Sequence, residues 1–230
     1  MPTALITGAN RGLGLALATR YAAARADANV IAVTREAAQS PDLQALVERS
    51  DGRVRAVEAD VAEAASIERL ARDVGNATLD LLINNAGVSG STTFGEISAQ
   101  QLDDVFRVNT FAPLLLTQAL RNRLARGGKV VNITSVLGSV ENARDDAGYL
   151  AYGMSKAALN MFSVKLAAAL RADDIAVLAL HPGWVQTRMG GNGAPLSVDT
   201  SAEGMMRVIE ALDIRHSGAY LAYDGTAIPW

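Results

Sequence analysis

The chain has 230 residues, half of them hydrophobic, and a net charge of −3 with acidic and basic residues interspersed. It is long enough to bury a sizeable core, and its charge lacks the basic footprint of a nucleic-acid binder. It contains no cysteine, which excludes disulfides, thiolate metal sites and thiol catalysis; its two histidines, His181 and His216, give a zinc site or a Ser-His-Asp triad little support.

The opening residues MPTALITGAN have neither the basic region nor the apolar stretch of a signal peptide. No segment approaches the ~20 apolar residues needed to span a bilayer. No linker, charge block or internal repeat divides the chain. The expectation is one cytoplasmic domain over residues 1–230, with no metal, nucleic-acid or membrane partner.

In chain order, short β-branched runs at 4–7, 30–34, 53–58, 79–84, 129–134, 175–180 and 219–222 read as strands. Helical patterns lie between them at 12–25, 41–50, 63–74, 99–125, 151–171 and 200–212. Ser98 and Asp199 are placed as helix starts and Gly127-Gly128 as a stop. Most strands are apolar without alternation, the pattern of strands covered by helices on both faces. The fold expected is α/β, a Rossmann-like doubly wound parallel sheet of about seven strands. Such sheets bind ligands beyond the carboxyl ends of their strands, where strand order reverses.

After the first strand comes Thr7-Gly8-Ala9-Asn10-Arg11-Gly12-Leu13-Gly14, running directly into a helix. Glycines there let the backbone turn tightly and approach a pyrophosphate, and the helix N-terminus offers N–H groups to the anion. The G-x3-G-x-G spacing differs from the commoner dinucleotide fingerprint, and a simple strand-to-helix turn would also use glycine. Asn84-Asn85-Ala86-Gly87 follows the fourth strand and can shape a turn without any ligand. After the fifth strand lies Thr134-Ser135-Val136-Leu137-Gly138-Ser139, whose hydroxyls can reach the crevice. Tyr152 and Lys156 then fall four apart, on one face of the helix predicted over 151–171.

These motifs, with Pro182-Gly183-Trp184-Val185-Gln186-Thr187 after the sixth strand, together resemble the short-chain dehydrogenase/reductase family over essentially the whole chain. TGANRGLGL at one end and YDGTAIPW at the other resemble its C-factor and sniffer-type carbonyl reductases. The resemblance implies hydride transfer between a nicotinamide and a small-molecule carbonyl or alcohol, with Asn109, Ser135, Tyr152 and Lys156 as the catalytic set. Tyr152 would be the acid/base. Its unperturbed pKa near 10 is too high for that work, and a nearby ammonium and an oxidised nicotinamide would lower it. Ser135 would hold the substrate oxygen, Lys156 the nicotinamide ribose, and Asn109 a water in a proton relay.

The Ser135-to-Tyr152 spacing of 17 residues exceeds the family's usual one by four, so Ser139, 13 before Tyr152, competes for the role. Ser-x-x-Gly directly after a strand favours Ser135 and puts the extra length in 141–149, a polar loop expected at the substrate entrance. Tyr149 is followed four residues later by Gly153, not lysine, and is set aside.

The resemblance places Gly8, Asn10, Arg11, Gly12, Leu13, Gly14, Asn85, Ala86 and Gly87 against the dinucleotide, with Asp60 and Val61 at the adenine. Pro182, Gly183, Val185 and Thr187 would lie beside the carboxamide. Where NAD-preferring relatives carry an acidic residue, this chain has Thr34-Arg35, with Glu36 one step late. Two guanidiniums, Arg11 and Arg35, suit a 2′-phosphate, so NADP is expected, with NAD possible if Glu36 takes the ribose instead. His181 is read as structural, and 188–199 as a short substrate lid. The broadly apolar helices at 99–125 and 151–171 suit a homodimer, by analogy with the family. An epimerase or dehydratase on the same fold would need a longer substrate domain. A dinucleotide-binding regulator with little turnover is the reading from another class.

Overall fold

In a computed structural model that describes residues 1–90, 94–143 and 148–230, seven strands form one all-parallel sheet. They are β1 (Thr3–Thr7), β2 (Asn29–Thr34), β3 (Val54–Glu58), β4 (Leu79–Asn84), β5 (Leu124–Ile133), β6 (Ala176–His181) and β7 (Ala219–Ala222), in the order β3-β2-β1-β4-β5-β6-β7. The order reverses between β1 and β4, so a crevice opens beyond the carboxyl ends of those two strands. The Rossmann-like architecture expected from the sequence is the one observed.

The helices are α1 (Gly12–Ala24), α2 (Pro41–Glu48), α3 (Ala64–Asp73), α4 (Ala99–Phe106), α5 (Ala112–Leu120), α6 (Leu150–Leu170) and α7 (Val198–Ala211). Alternate residues of each strand feed two cores. Ala4 and Ile6 pack with Leu17 of α1, Leu43 of α2 and Met205 of α7. Leu5 faces the other way, with Leu70 of α3, Leu116 of α5 and Leu170 of α6. Burial on both faces explains why the strands read as continuous apolar runs.

Three expectations need correction. The helix expected over 99–125 is two helices joined by a widened turn, Arg107–Phe111, and it ends at Leu120. Pro113 has no N–H to send back to the Asn109 carbonyl, so regular α-helical bonding fails at that point. Gly127 and Gly128 do not stop a helix; they lie within β5, where Gly127 adopts φ +74° and the register against β4 shifts. Asp199 does not open α7: Ser197 caps it, its Oγ accepting from the Thr200 N–H at 3.0 Å, and Asp199 sits in the first turn. Ser98 does cap α4, through a reciprocal pair of bonds with Gln101.

Candidate active site

The two strands at the reversal are stitched together beneath the crevice. The Thr7 hydroxyl accepts from the backbone N–H groups of Asn85 and Ala86, both at 3.0 Å. The Asn85 amide returns bonds to the carbonyls of Thr7 at 2.8 Å and Gly8 at 3.3 Å. Gly8 turns at φ +66°, and a Cβ on Gly14 would stand 2.2 Å from the Gly8 carbonyl oxygen. The start of α1 can therefore lie against the loop only without a side chain there. No side chain caps α1, and its first turn carries no acidic residue, so its terminal N–H groups remain available to an anion. Asn10, Gly12 and Leu13 are half-buried around this turn, and Arg11 is exposed. These features fit a dinucleotide pyrophosphate.

Thr34 ends β2 and is buried, whereas Arg35 and Glu36 beyond it are exposed. Asp60 follows β3; its carboxylate accepts from the Ala62 N–H at 2.9 Å, shaping the turn beside the buried Val61.

Tyr152 and Lys156 share one face of α6, with the Lys156 Nζ 5.6 Å from the Tyr152 ring centroid. The Lys156 ammonium donates to the Ile133 carbonyl at 2.8 Å, anchoring the helix to the end of β5. Full burial lowers its pKa to about 7. The Ser135 side chain lies beside the Tyr152 phenol. Burial pushes that phenol up to about 12, and Ser135 pulls in the opposite direction. The lowering expected from Lys156, whose Nζ stands 5.6 Å from the ring centroid, is not among the causes that act on it. Ser135 caps the short turn Val136–Gly138, its Oγ accepting from the Leu137 N–H at 3.2 Å. Ser139 is fully buried, and its hydroxyl accepts from the Asn142 N–H at 3.2 Å. Of the two serines, Ser135 is the one that acts on the Tyr152 phenol. Of the loop expected at the entrance, residues 144–147 lie outside the described residues. Tyr149, half-exposed and at φ +52°, precedes α6.

Asn109 lies in the widened turn between α4 and α5 and is fully buried. Its amide clamps Val88 from both sides, accepting from the Val88 N–H at 2.9 Å and donating to the Val88 carbonyl at 2.8 Å. The same amide donates to the Ser155 hydroxyl at 3.0 Å, while the Thr110 hydroxyl donates to the Ser155 carbonyl at 2.9 Å. The turn is therefore docked onto the stretch of α6 between Tyr152 and Lys156. A Cβ on Gly87 would come within 3.3 Å of Asn109 Oδ1 and 3.7 Å of Lys156 Nζ, so Gly87, Asn109 and Lys156 converge.

After β6, Gly183 turns at φ +82°, and the Pro182 carbonyl accepts from the Ser201 hydroxyl at 2.6 Å. Val185 is buried and pairs with Leu196 across the expected lid. The Thr187 methyl lies 3.5 Å from where a Gly12 Cβ would stand, so this loop closes over the glycine turn. Burial lowers the His181 pKa to about 4, which keeps the imidazole neutral as a structural residue would be. Val88, Ser155 and the Ile133 carbonyl went unnoticed in the sequence, because nothing in their local pattern points to contacts 21 to 46 residues away. Among the described residues no helix is long and apolar enough to cross a membrane, and no group of His, Cys, Asp and Glu could hold a metal.

Residues 2–195 match the family model described as short chain dehydrogenase. The chain belongs to the short-chain dehydrogenase family. Among curated members it is 42% identical to C-signal of Myxococcus xanthus over 163 residues, 70% of this chain and 98% of that protein. Among solved structures, the carbonyl reductase Sniffer of D. melanogaster is 31% identical with a TM-score of 0.93, covering 100% of both chains. An NADPH-bound carbonyl reductase from chicken fatty liver is 34% identical, also with a TM-score of 0.93, covering 100% of this chain and 99% of that one. For this short-chain dehydrogenase, membership makes an NAD(P)-dependent oxidoreductase of the carbonyl-reductase-like branch.

Proposed function

We propose that the chain is an NADPH-preferring carbonyl reductase in which Tyr152 delivers the proton. The observation that carries the reading is the Ser135 side chain beside the Tyr152 phenol, with the buried Lys156 anchored on the Ile133 carbonyl at the same crevice. When bound, the coenzyme supplies the hydride. The residues of the chain do the rest. The turn from Gly8 to Gly14 and the α1 terminus hold the pyrophosphate. Arg11 and Arg35 receive the 2′-phosphate through their forked donors. Asp60 and Val61 hold the adenine; Asn85, Ala86, Gly87, Val185 and Thr187 hold the nicotinamide half. Ser135 orients the substrate oxygen against the Tyr152 hydroxyl, whose high pKa keeps it protonated and able to donate as the carbonyl becomes an alcohol. Lys156 passes the replacement proton toward Tyr152 along a relay in which Asn109 anchors a water. Two solved relatives titled as carbonyl reductases, one of them NADPH-bound, support the reading. A cytoplasmic homodimer is part of it.

The test is NADPH consumption, beside NADH, against aldehydes, ketones, diketones and quinones. Turnover with NADPH of at least one class is expected. A second reading, a dinucleotide-binding signalling protein with little turnover, is favoured by the name of the 42%-identical relative, C-signal. Tight coenzyme binding with no turnover across the panel would decide for it.

A further inference from the structure

The Tyr220 side chain, on the last strand, reaches the serine that meets Tyr152. Tyr220 is only 3% exposed, and its hydroxyl donates to the Ser135 carbonyl oxygen at 2.5 Å. The same carbonyl accepts from the Gly138 N–H at 2.9 Å, and the Ser135 Oγ accepts from the Leu137 N–H. Ser135 is thus fixed by its own turn on one side and by β7 on the other. The Asn160 side chain, one turn beyond Lys156 on α6, lies close enough to the Tyr220 hydroxyl to act on its pKa and donates to the Gly138 carbonyl at 3.1 Å, the far end of the Ser135 turn. The tail after β7 locks this arrangement. Ile228 N–H donates to the Tyr220 carbonyl at 2.9 Å, the Trp230 ring lies 5.0 Å from the Tyr220 ring, and the Trp230 carbonyl accepts from the Val140 N–H at 2.6 Å. The tail therefore clasps both β7 and the segment that runs on from Ser135.

We propose that Tyr220 is a positioning residue for the reaction, holding Ser135 so that its hydroxyl stays aligned with Tyr152. The inference rests on the carbonyl-reductase reading. Burial pushes the Tyr220 phenol up to about 12, and a charge on Tyr152 disfavours one on Tyr220. It therefore remains a donor while Tyr152 cycles its proton. Without it, Ser135 keeps only the bonds of its own turn, and its place beside Tyr152 loosens.

Tyr220→Phe keeps the ring, its contact with Trp230 and the strand, and deletes only the hydroxyl. The expected result is a fall in kcat of about tenfold, the size of one lost hydrogen bond, with NADPH affinity unchanged. The Tyr152-dependent limb of the pH profile moves to higher pH, because the Ser135 side chain that lowers its pKa is held less firmly beside it. In a Ser135→Ala background the same substitution adds nothing, since the two act through one contact. An unchanged kcat and pH profile in Tyr220→Phe would overturn the proposal, as would a full further loss on top of Ser135→Ala. Absence of wild-type turnover on every carbonyl would instead overturn the reading beneath it.

Discussion

Ser135 and Tyr152, 17 residues apart, bring their side chains together where β5 gives way to α6, and the serine draws the phenol's pKa down. Burial there wins, and the Tyr152 phenol rises to about 12. The phenolate is then scarce in the free chain, rising about tenfold per pH unit only as pH climbs toward that value. Tyrosinate absorbance, wild type minus Tyr152→Phe, should show no Tyr152 ionisation near neutrality, and added NADP+ should shift it downward through its positive nicotinamide. A free-chain Tyr152 ionising near pH 7 would refute this account of the site.

Lys156 destabilises the fold at neutral pH. Burial depresses its pKa to about 7 from the ordinary 10.5 of a lysine, so the unfolded chain binds the proton more tightly. The sign follows: the penalty is fully present below about pH 7 and fades as pH rises toward 10.5. Lys156→Met removes the buried amine at similar length but orphans the Ile133 carbonyl. At pH 7 the variant should be more stable by about 1–2 kcal/mol, some 2–8 °C in Tm, with activity lost. The gap should close near pH 10; thermal melts at the two pH values check both signs.

Coenzyme choice is expected to rest on Arg35, exposed just beyond the buried Thr34, and on Arg11, exposed in the glycine turn. Arg35→Asp exchanges a phosphate partner for a charge that repels it and suits a ribose hydroxyl. The NADPH-over-NADH ratio of kcat/KM should fall roughly 10- to 100-fold, the worth of one charge-assisted contact. An unchanged ratio would mean that neither charge at this position reads the phosphate.

Phe111, Leu115, Met154, Met161 and Val164 expose apolar surface on the widened turn, α5 and α6. In the proposed homodimer these residues would be the association surface. Static light scattering should give twice the 24.1 kDa chain mass, and Met161→Glu should return the single-chain value. A wild-type mass of 24.1 kDa would exclude the dimer.

Much of this was readable beforehand because the chemistry sits where strands end. Doubly covered strands such as β4 announce themselves as unbroken apolar runs, and Gly14, Ser135 and Tyr152 then fall at known distances from them. The break at Arg107–Phe111 was hidden because apolar residues continue through it; only Pro113 signals it. Gly127 and Gly128 misled because glycine serves a bulge as readily as a helix end. Tyr220 was out of reach, since its partner is 85 residues away and no periodicity links a β7 side chain to a carbonyl beyond β5. Ser-x-x-Gly after the strand already favoured Ser135 over Ser139; what the sequence could not show is their partners, Leu137 for Ser135 and Asn142 for the fully buried Ser139.

The most direct test of the central claim is Tyr152→Phe, assayed for NADPH-dependent carbonyl reduction alongside coenzyme binding by fluorescence. The account predicts turnover down by at least about a hundredfold, in line with loss of a positioned proton donor, with NADPH still bound. Turnover retained within a few-fold of wild type would contradict it, and the proton would have to come from elsewhere.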